Sequence, residues 1–472
     1  MSSAPAPAAP AARVQEHISR TFDRHLGQVR RFVRQVSISG EDRGIGEMAD
    51  LVAARLREIG ARAEVIATAR HPVVYGEIDA GAPRTLLLYG MYDVQPVVGE
   101  RWSVSDPFGA ELVEGHPQGP SIVARGVYNS KGPLACFLNV LESIREVEGR
   151  LPLNVRFMIE GEEELGSPSL PAFVTARRAS LAADAGYFPG FEQDATGNAV
   201  LRLGCKGELF FELVCRGGAW GGPTRRAVHG STAVWYASPP VRLAQAIASM
   251  FSLDQRTVTV EGFRDGAEPP GAEDEGLLAA LAGRFDPRTQ LETDEVRRFT
   301  HDLWGVDLLR KYVYEPSLNV DGIVSGHPGE GTKTILPHEA RAKMDVRFVP
   351  RMRADRVVRR LRDHLDRHGL GDIELRVDHA FPWSKVSVTE APVRAMVETC
   401  RELGFEPEIW PLQASSAPFY LLTDELGMPF VTGGLGHGAR AHSADEYATV
   451  AGMELYERGA AIFLYRLREI LG

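Results

Sequence analysis

Apolar residues recur at helical spacing in four long stretches of this chain. The clearest covers residues 48–59, where one helical face is apolar and Gly60 follows as a C-terminal cap. The same spacing predicts helices over residues 134–144 and 354–368 and a final helix from about residue 450.

Other stretches have the pattern of strands. Continuous apolar runs are typical of strands buried on both faces, and alternating runs of strands with one exposed face. The two continuous runs end in the polar segments Tyr-Gly-Met-Tyr-Asp and Glu-Gly-Glu-Glu-Glu. In α/β sheets, binding sites lie at the carboxyl ends of the strands, which is where these segments stand. The four predicted strands cover residues 85–89, 153–159, 204–215 and 333–350.

The order of these elements predicts two domains. A chain of 472 residues is too long for one simple core. Alternating strands and helices indicate an α/β catalytic-type domain with a mixed central sheet, over residues 14–206 and 385–472. The middle, residues 207–384, predicts an inserted α+β lid or dimerisation domain. The Ala/Pro-rich residues 1–13 are expected to be a disordered lead.

Composition narrows the function classes. The formal net charge is -10, which disfavours nucleic acid and anionic membranes as partners, and a small-molecule substrate is expected instead. No stretch reaches the roughly 20 apolar residues of a membrane span, and no secretory signal is evident. The 4 cysteines have no CxxC spacing, so free thiols and a cytoplasmic location are expected.

Seven motifs then agree in order with one known family. They are GMYDVQP, ARGVYNSKGP, EGEEELGS, EPSLNVDGI, KTILP, VRFVP and AHSADE. From roughly Val33 to its C-terminus, the chain resembles the family of di-zinc aminoacylases, carnosinase-type dipeptidases and succinyl-diaminopimelate desuccinylases. The dipeptidase branch is the most similar. The resemblance implies that family's fold and a pocket for dipeptides or N-acyl amino acids.

The resemblance also implies five zinc ligands, and three of them are replaced. The family's first ligand, a histidine, is Met91 here, and its bridging aspartate is Asn129. The fourth ligand, an aspartate, aligns with Gly190, although a small gap would reach Asp184 or Asp194 instead. The two ligand positions that remain are Glu164 and His442.

Other functional positions of the family are kept. By resemblance, Asp93 orients the first ligand and Glu163 is the general base. His229 reaches across a homodimer formed by the lid domain and stabilises the oxyanion. Thr334 and Arg347 hold the substrate's carboxylate. Further substrate-binding positions are expected at Ser416, at Gln413 (a glutamate in the family) and in the remodelled pocket at Tyr128, Asn129 and Met91.

These replacements change the expected chemistry. A neutral amide, a soft thioether and a glycine cannot offset the charge of two zinc ions, so no di-zinc site is expected. At most one divalent metal such as zinc would bind weakly, if Asp93 or Asp184 turned inward. Glu163 is then expected to act as a metal-free general acid/base, which contributes roughly 10²–10⁴-fold.

Three hypotheses for function follow. The first is an enzyme acting on a small amino-acid-derived amide with a free carboxylate, by cyclisation, elimination, isomerisation or acyl transfer. The second is a metal-dependent dipeptidase or amidohydrolase with an unusual or single-metal site. The third is a catalytically silent homologue that binds a ligand or partners an active relative. The retained residues favour the first over the third, and metal content separates the second; these residues are Glu163, His229, Thr334, Arg347 and Ser416.

Overall fold

The computed structural model describes residues 9–293 and 295–472, and it divides them into two compact units. The first unit holds residues up to Leu203 together with Lys385–Trp410 and Leu421–Gly472. The second holds Gly204–Ser384 and Pro411–Tyr420. The segment 411–420, which the sequence placed in the catalytic-type domain, therefore groups with the second unit.

A six-stranded mixed sheet forms the centre of the first unit. Thr85–Met91 lies in the middle, parallel to Asn154–Glu160 on one side and to Ala185–Phe188 on the other. Because these three strands run in the same direction, their carboxyl ends meet at one edge of the sheet. The strand order is Arg62–Ile66, Val73–Ile78, Asn154–Glu160, Thr85–Met91, Ala185–Phe188 and Phe430–Thr432.

Helices cover this sheet and contribute a buried polar cluster. His25 and Glu457 are fully buried and contact each other at 2.5 Å, and Asn139 donates to Glu457 at 3.0 Å. The pairing keeps these polar groups satisfied inside an apolar bundle. The helices of this unit are Pro10–Arg34, Ile45–Glu58, Lys131–Glu148, Leu170–Leu181, Ala391–Glu402 and Val450–Leu471.

Short strands complete the first unit. In a four-stranded antiparallel sheet, the strand Ser121–Val123 pairs with Tyr447–Thr449, which directly precedes the last helix. Two further strands form a separate parallel pair. The four strands are Gly438–Ala439, Tyr447–Thr449, Ser121–Val123 and Glu111–Val113, and the pair is Val200–Arg202 with Glu408–Trp410.

The second unit is a four-stranded antiparallel sheet with helices on one face. Leu209, Phe211 and Leu213 alternate inward and pack with Leu243 and Leu361 of two helices in one apolar core. The strand order is Ser317–Ser325, Glu339–Phe348, Gly207–Arg216 and Glu374–Phe381. Two short strands, Val228–His229 and Ile335–Leu336, pair beside it. The helices are Pro239–Ser249, Ala272–Ala282, Pro287–Thr293, Gly305–Tyr314 and Ala354–Arg367.

The predicted fold class, a mixed α/β sheet with an added α+β unit, is confirmed. The disordered lead is wrong for its last four residues, because a helix begins at Pro10; residues 1–8 lie outside the described part of the chain. Proline at the first helical position loses no hydrogen bond, so it starts this helix without cost. None of the helices in the described ranges is long and apolar enough to cross a membrane.

Candidate active site

Asp93 is a buried carboxylate that holds the backbone of Glu163 and Glu164. It lies two residues past the end of Thr85–Met91 and is fully buried. Its two carboxylate oxygens accept the backbone N–H groups of Glu163 at 3.2 Å and Glu164 at 3.0 Å. Burial and, to a lesser extent, the charge of Glu164 raise the pKa of Asp93 to about 7. Asp93 therefore fixes the turn that carries both glutamates.

Asn129, Glu164 and His442 form one hydrogen-bonded cluster. The Asn129 amide donates to Glu164 Oε1 at 3.0 Å and lies 2.9 Å from His442 Nε2. The same His442 nitrogen lies 3.1 Å from Glu164 Oε1, and Gln95 donates to Glu164 Oε2 at 2.8 Å. The cluster joins the two kept ligand positions to one replaced position by direct contacts.

The imidazole of His442 can satisfy only one of these partners at a time. Its Nε2 either donates to Glu164 or accepts from Asn129, because it carries at most one hydrogen. The hydrogen bond with Glu164 raises the pKa of His442, which favours the donating form. The Glu164 side chain is 4% exposed and that of His442 is 52% exposed, so the ion pair borders solvent.

Glu446 holds the loop that presents Asn129, a role that the sequence analysis did not predict. Its Oε1 accepts the backbone N–H groups of Gly126, Tyr128 and Asn129 at 3.0–3.1 Å. Its Oε2 accepts from the buried Arg125 at 3.0 Å. The only signal was an acidic residue closing the AHSADE motif. Glu446 is a positioning residue, since it acts through the backbone.

Tyr128 precedes Asn129 in the chain, and Met91 and Gly190 follow from neighbouring strands at the carboxyl edge of the central sheet. Met91 ends its strand and is 2% exposed. Leu88 pairs with Tyr187 in parallel register, so Met91 and Gly190 follow three residues further along neighbouring segments. Burial raises the pKa of Tyr128; the charge of Glu192 raises it further, and that of Arg202 lowers it.

The other predicted residues lie in the second unit. His229 is exposed, and its Nδ1 accepts the backbone N–H of Ser231 at 3.2 Å. Thr334 accepts from the backbone N–H of Gly230, so it lies next to His229 across a strand pair. Gln413 exchanges backbone hydrogen bonds with Gly204 and Lys206.

Arg347, the expected carboxylate clamp, is already paired. Its Nη2 contacts Glu208 at 2.7 Å, its Nε contacts Asp345 at 3.0 Å and its Nη1 donates to Ser416 at 3.0 Å. All three guanidinium nitrogens are engaged, with two carboxylates against one positive charge. A substrate carboxylate at this position would compete with Glu208 and Asp345 for the guanidinium.

The donor set does not fit a two-metal centre. Met91 offers a soft sulfur, Gly190 offers no side chain, and the Asn129 amide nitrogen faces the remaining carboxylate. In residues 9–293 and 295–472, no three His, Cys, Asp or Glu side chains are grouped to hold a metal ion. Asp184, a candidate ligand, instead pairs with Arg84 at 3.0 Å.

Comparisons with known proteins agree on one family. The model of peptidase family M20/M25/M40 matches residues 87–469. The chain is 27% identical to a Beta-Ala-His dipeptidase of Homo sapiens over 303 residues, 62% of this chain and 56% of that protein. It is 25% identical to a Cys-Gly metallodipeptidase of Schizosaccharomyces pombe, over 75% of each chain. The chain thus spans little more than half of the human relative.

A solved structure matches over nearly the whole length. It is an M20 family metallo-carboxypeptidase from Sulfolobus solfataricus, 29% identical, with a TM-score of 0.86 over 94% of this chain and 99% of that chain. The likeness extends from the central sheet to the second unit, since so much of the chain is covered.

Proposed function

The chain belongs to peptidase family M20/M25/M40, and from this premise we propose that it is a dipeptidase-like enzyme working without the two-metal centre. Its substrate is a small amino-acid-derived amide with a free carboxylate, and Glu163 is its general acid/base. The observation that carries the proposal is the contact among Asn129, Glu164 and His442. The three side chains hydrogen-bond to one another at positions that, by resemblance, hold metal ligands in the family.

The position of Glu163 supports its role. The residue is half-buried, and its backbone N–H is fixed by Asp93. Glu164 is held by Gln95, Asn129 and His442, so its carboxylate stays in the cluster. In this proposal the two adjacent glutamates have separate roles: Glu163 moves protons and Glu164 binds within the site.

The proposed mechanism uses only this chain's groups. Glu163 accepts a proton from the attacking group of the substrate and returns it to the leaving atom. The protonated His442 stabilises negative charge on Glu164 next to it. His229, as an N–H donor from the second subunit of a homodimer, stabilises the developing oxyanion, worth roughly 10²–10³-fold for one donor. Such help suits cyclisation, elimination, isomerisation or acyl transfer from an activated ester.

Metal analysis and turnover together test the proposal. Protein purified without chelator is assayed with Cys-Gly, β-Ala-His and activated amino-acid esters, with and without EDTA. We expect substoichiometric zinc, EDTA-insensitive turnover of the activated esters, and loss of that turnover in Glu163→Gln. Glu47→Gln, an exposed glutamate on the helix Ile45–Glu58, is the matched control.

Three results would overturn the proposal. Two zinc ions per chain, with dipeptide hydrolysis abolished by EDTA, would establish the metal-dependent alternative. A Glu163→Gln variant with full turnover would remove Glu163 from the reaction. Absence of turnover with every ester would favour the silent homologue.

A further inference from the structure

The loop that carries His442 has a backbone conformation that residues other than glycine rarely adopt. Arg440, His442 and Asp445 have φ values of +64°, +60° and +56°. The left-handed region costs such residues conformational energy, so it persists only where the surrounding structure holds it. The contacts that hold this loop therefore determine where His442 lies relative to Glu164.

Arg125 makes the first of these contacts. Its side chain is 1% exposed, and its Nη1 donates to the carbonyl of Ser443 at 3.1 Å and to Glu446 Oε2 at 3.0 Å. Ser443 directly follows His442, and Glu446 accepts the backbone N–H of Asn129. One guanidinium nitrogen thus joins the two loops whose side chains meet in the cluster.

Two residues anchor the other side of Arg125. Its Nη2 donates to both carboxylate oxygens of Glu100, at 2.6 and 2.7 Å, and its guanidinium lies 5.6 Å from the centroid of the Trp102 ring. The Trp102 indole in turn donates to Glu100 at 3.0 Å. Because a guanidinium is planar, these contacts fix the direction in which Nη1 points.

Ser103 contacts the same loop directly. Its backbone N–H and its hydroxyl donate to the two carboxylate oxygens of Asp445, at 2.9 and 2.5 Å. Asp445 lies three residues after His442 and has one of the three left-handed φ values. The short segment 100–103 therefore holds the His442 loop at two points, through Arg125 and through Asp445.

We propose that Arg125 is a positioning residue that sets the contact between Asn129 and His442 by holding both of their loops. The inference rests on the proposed function, because it names the residue that places two members of that site's cluster. A lysine at position 125 would keep the charge. Its ammonium is a single point, however, so it cannot reach the acceptors on both sides in the same directions.

Amide hydrogen exchange measured by mass spectrometry tests this placement. Arg125→Lys should exchange roughly 10-fold faster in residues 126–129 and 440–446, the order of one hydrogen bond to a charged group, and as the wild type does elsewhere. Arg55→Lys is the matched control, since Arg55 is 2% exposed and donates to Glu142 at 2.8 Å between two helices. It should leave both loops unchanged. Wild-type exchange of residues 440–446 in Arg125→Lys would overturn the proposal.

A double-mutant cycle on the turnover of activated amino-acid esters separates positioning from loss of stability. Arg125→Lys should lower kcat by roughly 10-fold in the wild-type background and by less than about 3-fold in His442→Ala. The second loss is smaller because an effect that acts through His442 disappears with that side chain. Arg55→Lys should leave kcat per folded molecule unchanged. Losses that multiply would overturn the proposal, since Arg125 would then act independently of His442.

Failure of this inference is distinguishable from failure of the proposed function. If the wild type turns over no ester but both loops exchange faster in Arg125→Lys, the proposed function fails and the placement by Arg125 stands. If the wild type turns over esters and the loops of Arg125→Lys exchange normally, the placement alone fails.

A surface variant keeps the test open if Arg125→Lys does not show the wild-type melting transition. Ser103→Ala, at an exposed position, removes a hydroxyl that donates to Asp445 and should speed exchange in residues 440–446 only. Ser19→Ala removes a hydroxyl that donates to Glu454 and should not. Equal exchange of residues 440–446 in the two serine variants would overturn the proposal.

Discussion

The Asn129 amide donates to the Glu164 carboxylate at 3.0 Å, so the two residues attract each other without a bridging ion. In a two-metal site, carboxylates at both positions would repel each other unless cations lay between them. Here a neutral amide removes the repulsion and adds a hydrogen bond to a nearly buried charge. The cluster is therefore stable by itself.

Asn129→Asp should destabilise the protein in the absence of metal. The substitution replaces a donor to Glu164 by a second carboxylate about 3 Å away. We expect the free energy of unfolding at pH 7 to fall by about 2 kcal/mol, the order of one hydrogen bond to a charged group. Urea denaturation in EDTA measures it, and Gln118→Glu, which adds the same charge in an exposed loop, is the control. Equal stability of Asn129→Asp and wild type would show that the hydrogen bond contributes little.

Glu446→Gln should lower the thermal stability of the protein more than so conservative a substitution usually does. The variant keeps an oxygen for the N–H groups of Gly126, Tyr128 and Asn129 but leaves the buried Arg125 with one carboxylate fewer. Breaking such a buried pair costs about 3 kcal/mol or more. Thermal unfolding compared with Glu111→Gln, on an exposed strand position, measures the loss. A shift no larger than that of Glu111→Gln would contradict the role of Glu446 in holding the loop.

Stability should fall as pH rises, in part because of Glu160. Burial raises the pKa of Glu160 to about 8, from an unfolded value near 4.5. Between these values the folded state holds the proton more tightly than the unfolded state, so raising the pH favours unfolding. Glu160→Gln, neutral at every pH, should flatten this slope between pH 5 and 8 in melting experiments. An unchanged slope would mean that Glu160 is already ionised in the folded protein.

Glu164→Gln should lower the pKa of His442. The hydrogen bond from the imidazole to Glu164 is the main cause of the raised pKa, and a glutamine removes its charge. NMR titration of the His442 ring should show the midpoint moving down toward about 6.5, the ordinary value for histidine. His364 lies in the second unit, where burial lowers its pKa, and it should titrate alike in both proteins. A midpoint for His442 that does not move would place its partner elsewhere.

The helices and strands were largely predictable, because burying one face of an element makes apolar residues recur at the spacing of a helix or a strand. The predicted helices over residues 354–368 and from residue 450 match Ala354–Arg367 and Val450–Leu471 closely. The strand predicted over 85–89 continues to Met91. The helix predicted over residues 134–144 begins earlier, at Lys131, since the proline in its first turn loses no helical hydrogen bond.

Contacts between distant segments were not predictable from the sequence. Nothing near Arg202 shows that it pairs with Glu192, or that Arg347 meets Glu208 across two strands. The resemblance predicts that Arg347 holds the substrate's carboxylate. The sequence does not show that two carboxylates of the protein itself contact this guanidinium. The roles of Glu163 and His229 stay predictions, because they depend on contacts with a substrate and, for His229, with a second subunit.

Gly433 determines which side chain fills the space beside Gly190. Glu192 reaches that space only because position 433 has no side chain, and aspartate at 190 would bring a second carboxylate against it. Gly190→Asp alone would therefore crowd two negative charges. Building a metal ligand at position 190 would thus require a second change, at Glu192.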